Sequence, residues 1–149
     1  MGEQHVIRVI EDQCHGCGAC SFACEFGAII EKDDLQGTVS QYKISNNSSL
    51  IEARMKVGVH SPVPTIKAAI KAASGADFIL FDSPPGTSCP FIQTVVTSDY
   101  VVLVTEPTPF GLSDLKQSVE TLKSLGKPCG VVVNRAGLGN NEVFSYLEN

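Results

Sequence analysis

The sequence lacks the features that mark membrane-spanning and nucleic-acid-binding proteins. No apolar run approaches the ~20 residues that a transmembrane helix needs, and no basic segment followed by an apolar one opens the chain. The 11 basic residues are outnumbered by 16 acidic ones, and the net charge of −5 does not suit a phosphate-binding surface. We therefore expect a soluble, cytoplasmic protein with no stable membrane insertion and no nucleic acid partner.

Four of the six cysteines lie close together, whereas a second run of this kind is missing. They follow the spacing C-x2-C-x2-C-x3-C and are Cys14, Cys17, Cys20 and Cys24. Three cysteines spaced in this way reach three irons of one cluster from a single loop. Gly16 and Gly18 suit such a loop because glycine tolerates positive φ and lets backbone N–H groups approach the sulfurs. The run therefore predicts a 4Fe-4S cluster.

Zinc and a disulfide are the alternative interpretations of this run. Structural zinc sites usually bring two separated ligand pairs together. This chain has one run, with His15 inside it, and neither His5 nor His60 has ligand spacing. The absence of a secretion signal also makes a disulfide framework a poor fit. Iron–sulfur binding is the interpretation that the spacing favours.

The fourth ligand of the cluster is left open by the sequence. In two-cluster ferredoxins the fourth cysteine of each run binds the other cluster. Either Cys24 turns back to complete a single cluster, or a partner segment supplies the missing ligand. Glu25 also departs from the proline that usually follows the fourth cysteine.

A composition break near residue 60 divides the chain. We expect an iron–sulfur segment with a hairpin over 1–60, and a partial nucleotide-binding domain over 61–149. Strand-like stretches at 38–45 and 50–57 flank the turn signal "NNSS". Alternating apolar runs and helix-period segments then predict an α/β domain with a parallel sheet and flanking helices. The helices are expected at 63–73, at 111–127 and from 140, and the strands at 78–81, 100–104 and 129–133.

The string "DFILFDSPPGTSCP" ends an apolar run in Asp82. Ligand sites of open α/β sheets form at the carboxyl ends of parallel strands, and an aspartate there can hold Mg²⁺ beside a nucleotide. An ordinary strand-to-loop turn is the alternative.

Three strings in order, "DSPPGTSCP", "VVLVTEPTPFGLSDLKQ" and "GVVVNRAG", resemble the MinD/ParA/Mrp group of ATPases. With the cysteine run, they resemble MinD-type P-loop ATPases that carry an inserted ferredoxin domain, from about Ile7 to Asn149. The resemblance implies Asp82 as the Walker B aspartate and Gly86 as part of the γ-phosphate switch. It also implies Asn134 at the adenine, Glu106 and Pro107 near the nucleotide, and Mg²⁺ and ATP as cofactors of the intact parent protein.

The phosphate-binding loop of that group, G-x4-G-K-[ST], does not occur in this sequence. We therefore expect an incomplete, P-loop NTPase-like C-terminal part of a longer protein, inactive alone as an ATPase. Its function would couple nucleotide state to electron transfer or iron–sulfur cluster handling, with a redox or iron–sulfur client protein and a homodimer as partners. The alternative is a ferredoxin-like electron-transfer or binding module on a degenerate α/β scaffold.

In the resembled group, the P-loop strand lies between the strand before Asp82 and the next strand along the chain. Without it, Phe78–Phe81 and Tyr100–Val104 would each face a gap, and unpaired buried backbone groups are costly. We expect these two strands to pair directly or to borrow a strand.

Overall fold

The computed structural model describes residues 9–10, 13–14 and 16–148. The chain forms two compact units, Met1–Ala69 and Ile70–Asn149. The division falls within the helix that begins at Val63, nine residues beyond the predicted boundary at residue 60. The assignment of functions to 1–60 and 61–149 stays a prediction.

The first unit holds a short helix and a hairpin. Helix α1 spans Ala19–Ala23, and strands β1 (Gly37–Lys43) and β2 (Ser49–Met55) pair antiparallel. The Ile44 N–H donates to the Ser48 carbonyl at 3.0 Å and closes the turn. The hairpin predicted from the alternating pattern and its "NNSS" turn is confirmed.

Helix α2 spans Val63–Ala73, as the helical spacing predicts. The Ser61 hydroxyl accepts a hydrogen bond from the Val63 N–H at 3.4 Å, which satisfies one of the free donors of the first turn. Thr65 is the buried residue of this helix.

The second unit contains a parallel strand pair joined by a helix. Its elements are α3 (Cys89–Thr97), β3 (Val101–Thr105), α4 (Pro109–Ser124), β4 (Cys129–Val133) and α5 (Glu142–Leu147). Strands β3 and β4 run from the Val101–Cys129 pair to the Thr105–Val133 pair. Thr108 caps α4 by accepting from the Gly111 N–H, and Gly126, at φ 64°, ends that helix.

The core of this unit lies where α3 and α4 cover one face of β3. Phe91, Val95 and Leu122 are buried, and Val101 and Leu103 pack against them. The opposite side of the strands is open, since Val102, Val104 and Val132 are exposed. Parallel strands usually have both faces covered, so this pair carries a core on one face alone.

The expected strand at 78–81 is wrong. No described residue of Phe78–Phe81 is in a strand, and β3 pairs only with β4 within the described part of the chain. The direct pairing expected between Phe78–Phe81 and Tyr100–Val104 is therefore also absent from that part. The physical reason is exposure: Phe78 and Leu80 are 89% and 90% exposed. Water can reach this backbone, so the cost of unpaired buried groups does not arise.

The parallel pairing itself is present between β3 and β4, within a mixed α/β fold with small sheets. The wider P-loop-type sheet is not seen in the described residues. Among the helices of the described residues, none combines the length and the apolar character needed to cross a bilayer.

Candidate iron–sulfur site and the edge of the parallel strands

The cysteine run lies on a loop that leads into α1. Cys14 and Cys17 precede the helix, Cys20 lies within it, and Cys24 is its C-cap. Gly18 adopts φ 73° at the N-cap, and its carbonyl accepts from the Phe22 N–H at 2.9 Å. One cysteine of the run therefore lies within the short helix, one at its end, and two on the loop before it.

Glycine is needed at two points of this loop because of the backbone conformation. Gly16 and Gly18 have φ values of 61° and 73°, which side-chain-bearing residues rarely adopt. A Cβ added at Gly16 would meet no atom within 4 Å, and one at Gly18 would lie 3.5 Å from Glu31 Oε1. A side chain at either position would therefore meet no steric clash. Glycine is favoured there because the backbone has a positive φ.

The turn after α1 surrounds the Cys24 sulfur with backbone donors. The Ala28 N–H donates to Cys24 Sγ at 3.3 Å, and the Gly27 N–H donates to the Cys24 carbonyl at 3.3 Å. The backbone N–H groups of Ala28 and then Phe26 hold the pKa of the Cys24 thiol below its ordinary value. Thiolate is the form that binds metals, so this turn suits a cluster ligand.

A side-chain contact fixes the segment that follows the loop. The Ser21 hydroxyl donates to Glu31 Oε1 at 2.8 Å and joins α1 to the chain ten residues later. Glu25, where ferredoxins usually have proline, is exposed.

The thiols of the cysteine run do not form a preassembled set of ligands in the described part of the chain. Cys14, Cys17 and Cys20 are exposed, and Cys24 is half-buried. Within residues 9–10, 13–14 and 16–148, no three His, Cys, Asp or Glu side chains lie close enough together to hold a metal ion. The donor types and the glycine turns fit an iron–sulfur cluster, and such a cluster would have to draw the exposed thiols together as it binds. His5 and His15 lie outside the described residues.

Three of the residues that were expected near a nucleotide lie at the carboxyl ends of β3 and β4. Glu106 and Pro107 follow β3, and Asn134 follows β4. The Asn134 N–H donates to the Thr105 carbonyl at 2.8 Å and extends the strand pairing by one bond. The structure therefore places these three residues at one edge of the strand pair, as the predicted parallel topology requires.

Two further contacts hold this edge together, and the sequence did not indicate them. Arg135 Nη1 lies 3.3 Å from Glu106 Oε1, and the Asn140 N–H donates to the Pro107 carbonyl at 3.1 Å. Arg135 has φ 53°, rare for a residue with a side chain, and its N–H donates to Asn134 Oδ1 at 3.0 Å. A positive φ at arginine has no signal in a single sequence, which is why this ion pair was missed.

Asp82 and Gly86 lie on the loop before α3. Asp82 is exposed, and Gly86 has φ 85° with no atom within 4 Å of an added Cβ. The Ser83 hydroxyl donates to Thr94 Oγ1 at 3.1 Å and ties this loop to α3. In the described part of the chain, no hydrogen bond or ion pair joins Asp82 or Gly86 to the edge formed by Glu106, Pro107 and Asn134.

Comparison with known protein families supports the cysteine segment. Residues 7–30 match the family described as the 4Fe-4S binding domain. The match includes the whole C-x2-C-x2-C-x3-C run. The chain thus contains a ferredoxin-like iron–sulfur segment of the kind that binds a 4Fe-4S cluster. The family match says nothing of an ATPase.

Two proteins of Methanocaldococcus jannaschii are similar to nearly the whole chain. The uncharacterized protein MJ0579 is 29% identical over 136 residues, which cover 90% of this chain and 49% of that protein. The uncharacterized protein MJ0578 is 32% identical in an alignment 159 residues long, gaps included, that covers 90% of this chain and 58% of that protein. The chain therefore spans about half the length of these relatives. No solved structure matches it.

Proposed function

We propose that the chain binds a 4Fe-4S cluster through Cys14, Cys17, Cys20 and Cys24 and carries electrons to or from a client protein. The observation that carries this proposal is the four-cysteine run within the segment that matches the 4Fe-4S binding domain. When bound, such a cluster supplies one-electron redox chemistry.

The chain's own groups support that role in three ways. Gly16 and Gly18 turn the backbone so that cysteines on both sides present their thiols. The amide donors around Cys24 favour its thiolate and would tune the potential of a sulfur-ligated cluster. The exposure of Cys14, Cys17 and Cys20 leaves this loop accessible to an electron-transfer partner.

Anaerobic reconstitution of the purified chain with iron and sulfide tests the cluster. We expect a broad visible absorbance that bleaches with dithionite, together with equal amounts of bound iron and sulfide. Cys17→Ser should lose most of the bound iron. Cys89→Ser is the matched control, because Cys89 is also exposed but lies in α3, outside the loop. Stoichiometric zinc without iron uptake would show that the run is a zinc site instead.

We further propose that the second unit descends from, or forms part of, a MinD/ParA/Mrp-type nucleotide-binding domain that couples nucleotide state to the cluster. The convergence of Glu106, Pro107 and Asn134 at the carboxyl edge of a parallel pair supports this, since α/β domains bind ligands at that edge. Asp82 would hold Mg²⁺ and Gly86 would lie beside the phosphates. Such binding is expected to be weak here, because the sequence offers no lysine-containing phosphate loop.

An NMR titration with Mg-ATP up to millimolar concentrations tests this second proposal. We expect the amide signals of Gly86, Glu106 and Asn134 to shift together without saturating in the micromolar range. Asn134→Ala should reduce these shifts, whereas Asn47→Ala, in the β1–β2 turn, should leave them unchanged. Shifts spread over the hairpin, or saturation at micromolar ATP, would contradict the assignment of the site.

A further inference from the structure

A carboxylate lies against the cysteine loop although it belongs to a later part of the chain. Glu31 comes after the last cysteine of the run, yet the Ser21 hydroxyl donates to its Oε1 at 2.8 Å. The same oxygen would lie 3.5 Å from a Cβ added at Gly18. Ser21 directly follows Cys20, and Gly18 lies between Cys17 and Cys20. The Glu31 carboxylate is therefore held beside the backbone that carries two of the predicted cluster ligands.

The backbone path after α1 brings Glu31 back to this loop. Gly27 has φ 60°, and its N–H donates to the Cys24 carbonyl at 3.3 Å, which makes a turn directly after the helix. No helix or strand lies within 27–36. Among the described residues, the Glu31 carboxylate forms the hydrogen bond between a side chain of that segment and α1. Its position beside the loop is therefore set by Ser21, which lies within α1 and is half-buried.

The negative charge of Glu31 is not cancelled by a basic partner in the described part of the chain. The ion pairs there join Glu52, Asp34 and Glu106 to basic side chains, and none of them includes Glu31 or its neighbour Lys32. An exposed glutamate is an anion at neutral pH. The hydroxyl that holds this carboxylate is a neutral donor, so it fixes the position of the charge without compensating it.

We propose that Glu31, held in place by Ser21, lowers the reduction potential of the cluster bound by the cysteine run. The electron that reduces a thiolate-bound cluster adds one negative charge to a group that is already negative. A fixed carboxylate repels the reduced cluster more strongly than the oxidised one, so it disfavours reduction. Charge and solvent exposure are among the properties that set cluster potentials. This inference rests on the proposed cluster binding.

Ser21 is the positioning residue in this arrangement. Ser21→Ala leaves the charge of Glu31 in the chain but removes the hydrogen bond that keeps it beside the loop. The released carboxylate is free to move into solvent, where water and salt screen its interaction with the cluster. We therefore expect Ser21→Ala to raise the reduction potential in the same direction as removal of the charge, and by a smaller amount.

Anaerobic redox titration of the reconstituted full chain, followed by visible absorbance and by EPR, tests the charge. Glu31→Gln removes the charge but keeps an oxygen that can accept from Ser21. We expect it to raise the equilibrium constant for one-electron reduction at least about threefold, a shift of about 30 mV at 59 mV per tenfold. Asp33→Asn is the matched control and should change the potential far less. Asp33 is exposed on the same segment and forms no hydrogen bond or ion pair in the part of the chain that the structure describes.

The dependence on salt separates an effect of charge from an effect on loop structure. The Debye length falls from about 30 Å at 0.01 M salt to about 3 Å at 1 M. The difference in potential between the unsubstituted chain and Glu31→Gln should therefore shrink as salt is added. A difference that is the same at both salt concentrations would show an altered loop and overturn the electrostatic role. Glu31→Asp, which keeps the charge, should keep the potential close to that of the unsubstituted chain.

The outcomes separate this inference from the proposed function. Equal potentials for the unsubstituted chain and Glu31→Gln would overturn the role of the carboxylate and leave cluster binding intact. A loss of bound iron in Glu31→Gln would also overturn it, because Glu31 would then be needed to hold the cluster rather than to set its potential. Failure of the unsubstituted chain to take up iron would overturn both proposals.

Discussion

The side chain of Lys127, which lies just before β4, forms hydrogen bonds to the C-terminal end of α3. Its Nζ donates to the carbonyl oxygens of Val96 and Ser98, both at 2.7 Å. Val96 lies in the last turn of α3, and Ser98 is its C-cap. These carbonyls have no partner within the helix, and they carry the negative end of its dipole. Lys127→Met removes the one ammonium group, and with it both hydrogen bonds, while keeping a side chain of similar length.

The expected loss follows from those two contacts. A hydrogen bond to a charged group contributes about 1.5–3 kcal/mol when it is well buried. Here Lys127 is half-buried and Val96 is exposed, so water replaces part of what is lost. We expect the pair to contribute about 1–2 kcal/mol to the stability of the second unit. For a unit of this size the melting temperature should fall by about 5–10 °C.

Calorimetry of the metal-free chain gives the melting temperature, and hydrogen exchange of the β3 and β4 amides assigns the loss to the second unit. Lys123→Met is the matched control, since Lys123 is exposed in the last turn of α4 and its side chain forms no hydrogen bond or ion pair in the described part of the chain. Equal melting temperatures for the two variants would refute the assignment of a capping role to Lys127.

Two further predictions concern the hairpin and the edge of the parallel strands. Hydrogen bonds from Arg54 and then Tyr42 hold the pKa of Glu52 below its ordinary value of 4.5. The contact therefore stabilises the hairpin above the unfolded pKa and is lost as the pH falls through the folded one. Arg54→Met should raise the pKa of Glu52 toward 4.5 in an NMR titration, and an unchanged value would contradict the contact. Gly111→Ala would place a Cβ against the Glu106 carbonyl oxygen, so we expect the free energy of unfolding, measured with denaturant, to fall by about 1–3 kcal/mol. Gly137→Ala is the control and should cost far less, because no atom lies near an added Cβ there. Similar losses in both variants would rule out the clash.

The elements with strong local signals could be predicted from the sequence. Helix α2 begins at Val63 and ends at Ala73, as its apolar spacing indicates, and β4 occupies the predicted 129–133. Helix α4 was predicted at 111–127 and spans Pro109–Ser124, so its existence was predicted and its bounds differ by two or three residues. In these elements the apolar spacing of the sequence favours the same local structure as the tertiary packing does.

Where the outcome depended on a partner in space, the sequence was a poor guide. The run Phe78–Phe81 has strand composition, but a strand exists only when another strand pairs with it. Helix α3 was missed although Ser88 and Pro90 mark its start and Phe91 and Val95 share one face. Those signals directly follow a turn rich in proline and glycine, and no helix was predicted there.

The candidate sites also combine features that the sequence could predict with features that it could not. Spacing alone identified the four cysteines, since ligand sets of this kind are local in the chain. It could not identify the amide donors around Cys24, because they come from the backbone path of the turn that ends near Ala28. Nor could it foresee the Glu106–Arg135 pair, which depends on the left-handed backbone of Arg135.

The small size of α1 bears on how the cysteine segment attains its structure. The helix has five residues and no buried side chain, whereas isolated helices shorter than about 12 residues are marginal in water. Its fixed points are few: the turn at Gly18, the contact between Ser21 and Glu31, and the amides at Cys24. Metal–thiolate bonds are far stronger than any of these, and in small metal-binding segments the free energy of binding is the free energy of folding. Cluster uptake and the ordering of this segment should therefore be one equilibrium, in which the three exposed thiols are gathered as the cluster binds.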